Sequence, residues 1–175
     1  MTVLILGPNG SGKSVYAEKL ASQFSSGALY YIATMIPYGE EGKIRVEKHR
    51  KQREGAGFIT IEKPSFVSEI PLTSDTVVLL EDVSNLLGNA LFDGDRNGSD
   101  ISVFTDIESL CLKCRNAVIV SIDDLIAKEE YDNETLGYID AMNRLNRRLF
   151  DLADVVVSMR DGMPDFIKGE AYALD

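Results

Sequence analysis

Residues Gly7 to Ser14 read G-P-N-G-S-G-K-S, and this octet leaves the chain few folds to choose from. It matches the phosphate-binding pattern G-x-x-x-x-G-K-[ST]. Such a loop works only where a buried strand delivers it and a helix leaves it. Its glycines let successive backbone N–H groups turn inward around an anion. The helix that follows adds unpaired N-terminal amides and the positive end of its dipole. The flanking text supplies both elements. Thr2 to Leu6 is a short apolar run ended by Gly7, the pattern of a buried strand. Ser14 to Phe24 places Ala17, Leu20, Ala21 and Phe24 on one helix face. After the break Ser25-Ser26-Gly27, Leu29 to Thr34 is a second strand. Strand, glycine loop, helix, strand is the order of a parallel βαβ unit. The eight residues Gly7, Pro8, Asn9, Gly10, Ser11, Gly12, Lys13 and Ser14 are therefore expected to cradle the phosphates of ATP or GTP. Lys13 would reach the β/γ-phosphates as a catalytic cation, and the Ser14 hydroxyl would hold Mg2+.

The rest of the chain repeats the same grammar. Strands are expected at Phe58 to Glu62, Thr76 to Leu80, Ala117 to Ser121 and Val155 to Ser158. The continuous apolar run Thr76 to Leu80 is typical of a central strand covered on both faces. Helices are expected at Lys43 to Arg53, Leu86 to Phe92, Ile101 to Arg115 and Leu136 to Leu152, with Asp93 to Asp100 a polar loop. Asp123 to Thr135 is acidic and gives no clear period, and the tail from Gly162 to Leu174 suits an edge hairpin. No repeat, low-complexity tract or linker interrupts the 175 residues, so the expected organisation is one α/β domain spanning 1–175. The fold class is a P-loop NTPase, with a mostly parallel sheet and helices on both faces.

Charge narrows the partners. With 18 Lys+Arg against 28 Asp+Glu, the net charge is −10, the wrong sign for a nucleic-acid partner. Small anions remain compatible, because a loop binds phosphate locally. No apolar run approaches the roughly 20 residues of a membrane helix, and no basic segment precedes an apolar stretch as in a signal peptide. A cytoplasmic location is the expectation. Cys111 and Cys114 fall three apart in an expected helix and read as reduced thiols, since no second Cys/His pair completes a zinc site.

Two further features carry chemistry. Val77-Val78-Leu79-Leu80-Glu81-Asp82 ends an apolar strand in carboxylates, where ligands sit in open α/β sheets. Glu81 or Asp82 could hold the metal shell or activate a nucleophile. His49 is the single histidine, inside a charged run flanked by Arg45, Arg50 and Arg53. It reads either as a surface residue or as an imidazole that attacks a nucleotide α-phosphate, with the arginines offsetting phosphate charge. Spacing does not choose between them.

Taken in order, these pieces resemble the adenosylcobinamide kinase / adenosylcobinamide-phosphate guanylyltransferase family of cobalamin biosynthesis. After the phosphate loop come Tyr31-Ile32-Ala33-Thr34 (Y-I-A-T), Arg45 to Arg53 (R-I-x-x-H-[RK]-x-x-R), Ile61-Glu62-Lys63-Pro64 (T-x-E-x-P) and Leu79 to Phe92 (L-L-[DE]-C-x-T-x-x-x-x-N-x-L-F). The resemblance implies two activities: ATP or GTP phosphorylates adenosylcobinamide, and GMP then passes from GTP to the phosphorylated corrinoid through a histidine. It makes His49 the GMP carrier and Lys13 and Glu81 catalytic. It adds Thr34, Arg50 and Glu62 to the nucleotide-binding set, and gives Ser14 and Glu81 the metal. It also implies a RecA-like domain, a corrinoid substrate, and a homo-oligomer of the family's trimeric kind.

The C-terminal half departs from the pattern. Where the family carries N-E-V-G-x-G-x-V-P, this chain has Ile122-Asp123-Asp124-Leu125-Ile126-Ala127. Where it carries F-R-D-x-x-G-x-x-N-Q, Asp140 and Asn146 remain. Ile139, Asn143 and Arg147 replace the arginine, glycine and glutamine. Two alternatives follow: a diverged P-loop kinase for another small alcohol, or a nucleotide-binding switch subunit with little turnover.

Overall fold

The structure, a computed structural model, describes residues 1–24, 27–37, 39–40, 44, 55–93, 98–123 and 125–170. Seven strands form one sheet: β1 (Thr2–Gly7), β2 (Leu29–Ala33), β3 (Ile59–Glu62), β4 (Val77–Glu81), β5 (Asn116–Ile122), β6 (Val155–Arg160) and β7 (Met163–Lys168). The order across the sheet is β3-β2-β4-β5-β1-β6-β7. Every pairing is parallel except β6 with β7. Four helices are described: α1 (Lys13–Phe24), α2 (Val83–Phe92), α3 (Asp100–Cys111) and α4 (Asn133–Leu152).

The central strands β1, β4 and β5 are largely apolar and buried because both faces are covered, whereas the edge strands β3 and β7 are partly or mostly exposed. Successive residues of a strand point to opposite faces, and the sheet divides its side chains accordingly. Val3, Ile5, Tyr31, Leu79, Val118 and Val120 pack with Ala17, Leu20 and Ala21 of α1. Leu4, Leu6, Ile32, Leu80 and Ile119 pack on the other face with Leu86, Leu87, Ile107, Leu110, Met142, Leu145 and Leu149 of α2, α3 and α4.

Element ends follow local chemistry. The Asp82 carboxylate caps α2 by accepting from Asn85 N at 2.8 Å. The reciprocal pair Ser99 and Ser102 caps α3. Asp132 caps α4, accepting from Thr135 N at 2.7 Å, so that helix begins one turn before the expected Leu136.

Two expectations need correction. Within the described residues the tail is not a hairpin of its own: Met163–Lys168 is a single edge strand, folded back on β6 through the turn Asp161-Gly162. Both turn residues have positive φ, 49° and 78°, the D-G signature of a two-residue hairpin turn. The helix expected to carry both cysteines ends at Cys111, and Cys114 sits in the turn beyond it. The two thiols are free, and burial pushes Cys111 up to about 12 and Cys114 to about 11, from the ordinary 9.0. A thiol raised in this way supports the folded state fully below its unfolded value. That support is lost as pH climbs toward the raised one. Neither thiol is expected to react with a colorimetric disulfide reagent at pH 7.5 until denaturant is added, and stability should fall above about pH 9.

Candidate functional site

The carboxyl ends of the parallel strands share one edge of the sheet, and the phosphate loop opens there from β1. Its glycines are there for steric reasons. A Cβ on Gly7 would lie 2.6 Å from Ser11 Oγ and 2.8 Å from the Met159 carbonyl oxygen, so no larger residue fits. Gly12, with φ of 85°, turns the chain into α1. Lys13 is the first residue of α1 and is 7% exposed; its ammonium folds back to donate to the Pro8 carbonyl at 3.0 Å. Asn9 and Gly10 are exposed at the tip. Ser11 is buried, and its hydroxyl has no hydrogen-bond partner among the described residues.

Ser14 follows Lys13, and its hydroxyl donates to Glu81 Oε1. β5 lies between β1 and β4, so this contact spans two strand spacings, about 10 Å of backbone. The structure separates the two acidic candidates. Asp82 is occupied as a helix cap, accepting on one oxygen from Ser84 Oγ, Asn85 N and Asn85 Nδ2 at 2.7–2.9 Å. Glu81 is the carboxylate turned toward the loop. Thr34 is fully buried, and its hydroxyl donates to Asp82 O at 2.7 Å and accepts from Asp82 N at 2.8 Å. It fixes the backbone directly after Glu81. Asn89 secures the same corner by donating to Thr34 O and Pro64 O at 2.8 and 2.9 Å.

Glu62 ends β3, level with Ala33 and exposed. It lies two strands beyond Glu81 and four from β1, roughly 20 Å from the phosphate loop by strand spacing. It shares the functional edge without touching the loop. The expected helix Lys43 to Arg53 falls outside the described residues apart from Ile44, and His49 and Arg50 with it.

Asp123 and Arg160 gave no sequence signal as a pair, and Asn146 stands out in the sequence only as a position kept from the family pattern. Asp123, just past β5, and Arg160, ending β6, form a two-pronged ion pair at 2.8 and 3.1 Å. Those strands flank β1, so the pair bridges the root of the phosphate loop. Gly162 N donates to Ser11 O at 3.1 Å, leaning the β6–β7 turn on the loop. On α4, Asn146 donates to Ile122 O at 2.8 Å and accepts from Ser121 Oγ at 2.6 Å, tying the helix to the end of β5.

A glycine-rich loop between a buried strand and α1, a lysine at its end, and a serine–glutamate contact across the sheet define a RecA-like P-loop nucleotide-binding protein. Solved structures agree on the fold. The flagellar accessory protein FlaH from Methanocaldococcus jannaschii superposes with a TM-score of 0.51 at 12% identity, covering 99% of this chain and 82% of that one. A solved ATPase domain gives 0.55 at 11% identity, covering 99% and 78%. No match is found among curated proteins. The family model for CobU, cobinamide kinase / cobinamide phosphate guanyltransferase, matches residues 3–167. The chain belongs to this family of nucleotide-using transferases of cobalamin biosynthesis. No helix among the described residues is long and apolar enough to cross a membrane.

Proposed function

We propose that the chain is a bifunctional corrinoid-salvage transferase, acting as a homo-oligomer. In the first reaction the aminopropanol hydroxyl of adenosylcobinamide attacks the γ-phosphorus of ATP or GTP. The new O–P bond forms as the bond to the β–γ bridging oxygen breaks. The nucleoside diphosphate leaves, and the hydroxyl proton is lost to water. In the second, a His49 ring nitrogen attacks the α-phosphorus of GTP and pyrophosphate departs. An oxygen of the corrinoid phosphate then displaces the histidine and takes the GMP.

The observation that carries this reading is the Ser14–Glu81 contact beside Lys13, in a chain matched by the family model over residues 3–167. The residues present fit Mg2+: a hydroxyl and a carboxylate, both hard oxygen donors, meet where the loop enters α1. Ser14 and Glu81 would hold the ion, which supplies charge neutralisation to the phosphates. The loop amides orient the triphosphate, and Lys13 places a positive charge over the transferring group. Thr34 and Asn89 position Glu81 through the backbone.

The test is phosphorylation of adenosylcobinamide by Mg-ATP or Mg-GTP, followed by chromatography and mass. Acceptor-dependent diphosphate release with a phosphorylated corrinoid supports the proposal. Tight nucleotide binding with no phosphorylated product would sink the kinase half and leave a nucleotide-binding subunit.

A further inference from the structure

A cleft of about 660 Å³ lies against α4, bordered by Leu6 and Asp123 on the sheet side and by Asp140, Asn143, Arg147 and Asp151 on the helix. The four helix residues are spaced 3, 4 and 4 apart, so they form one continuous stripe. Leu6 immediately precedes Gly7, and Asp123 donates its backbone N–H to Gly7 O. The cleft therefore reaches the root of the phosphate loop. Its helical wall is held in place, because Asn146 bonds both Ser121 and Ile122.

We infer that this cleft receives the corrinoid acceptor, with Asn143 and Arg147 reading its periphery; the inference rests on the function proposed above. Three considerations lead there. An alcohol attacking a γ-phosphate must approach from the open strand ends, and this cleft adjoins them. The lining mixes apolar surface from Leu6 and Phe150 with three carboxylates, of which Asp123 is paired with Arg160 and Asp140 with Arg144, and one guanidinium, Arg147. A corrinoid is a cationic cobalt macrocycle rimmed with primary amides. Its amide N–H groups suit carboxylate and asparagine acceptors, and its amide carbonyls suit a guanidinium fork. Finally, Asp140 is already paired with Arg144, whereas Asn143 and Arg147 have no hydrogen-bond or ion-pair partner among the described residues. These two unpaired side chains would set which corrinoid the cleft prefers.

The experiment measures phosphorylation kinetics for wild type, Asn143→Ala and Arg147→Glu, varying adenosylcobinamide and ATP separately. Lys19→Glu, on the exposed side of α1, controls for the change in net charge. Thermal melts confirm that all four are folded. The expected result is a KM for the corrinoid raised about tenfold in Arg147→Glu and less in Asn143→Ala, one guanidinium contact being lost. The KM for ATP should stay within about twofold, and Lys19→Glu should match wild type. A corrinoid KM unchanged in both cleft variants overturns the cleft assignment and leaves the proposed reaction standing. If wild type neither binds nor phosphorylates the corrinoid, both fall together.

Discussion

Lys13→Met is expected to lower nucleotide turnover by about 10²–10³-fold while the protein remains folded. The side chain has little structural work. Its ammonium makes one bond, to Pro8 O at 3.0 Å, and the side chain is buried, so methionine, apolar and of similar length, suits the position. What the substitution removes is a positive charge held at the base of the phosphate loop. A charge of this kind is worth most where negative charge develops during transfer, in a site with little water. The effect should therefore appear mainly in kcat; a rise confined to the nucleotide KM would mean that the lysine only binds the ground state. Steady-state diphosphate release, with circular dichroism melts for both proteins, makes the measurement. Turnover within threefold of wild type would remove Lys13 from the mechanism.

The second large effect is all-or-none. Wild type incubated with Mg-GTP should gain the mass of one GMP, and His49→Ala should gain none. The nucleophile must be a nitrogen that is neutral at working pH, and His49 is the only imidazole in the chain. The adduct's phosphoramidate bond should be labile to mild acid and stable to base. Phosphorylation of adenosylcobinamide by His49→Ala should persist, because that reaction passes no group through the imidazole. An adduct that survives in His49→Ala places the nucleophile elsewhere. Absence of an adduct on both proteins, with GTP bound, removes the guanylyl step and returns His49 to the surface-residue reading.

Much of the fold could be read from local pattern because local pattern is what shapes it. The runs Thr2 to Leu6, Thr76 to Leu80 and Ala117 to Ser121 hold strands because their consecutive apolar residues, such as Val77 to Leu80, must be covered on both faces. Within the octet Gly7 to Ser14 the chain turns from β1 into α1 because Gly7 admits no Cβ and Gly12 holds a positive φ. Helix starts were harder. α2 begins at Val83 rather than Leu86, since Asp82 caps it, and α4 begins at Asn133 under Asp132. A cap is one side chain, and it adds nothing to a hydrophobic period.

The site divides along the same line. The sequence alone determined the phosphate loop, its lysine and serine, and the carboxylates ending β4, because these are fixed by chemistry within a few residues. Local chemistry left Glu81 and Asp82 open, and the family resemblance favoured Glu81. The tertiary structure supplies the physical reason, spending Asp82 on the start of α2 and turning Glu81 to Ser14 across β5. It likewise set Glu62 four strands from the loop, occupied the Thr34 hydroxyl with backbone, and brought Asp123 to Arg160 across 37 residues of chain. Strand order decides these distances, and strand order is written in which faces pack together, a property of the whole sheet and of no single segment.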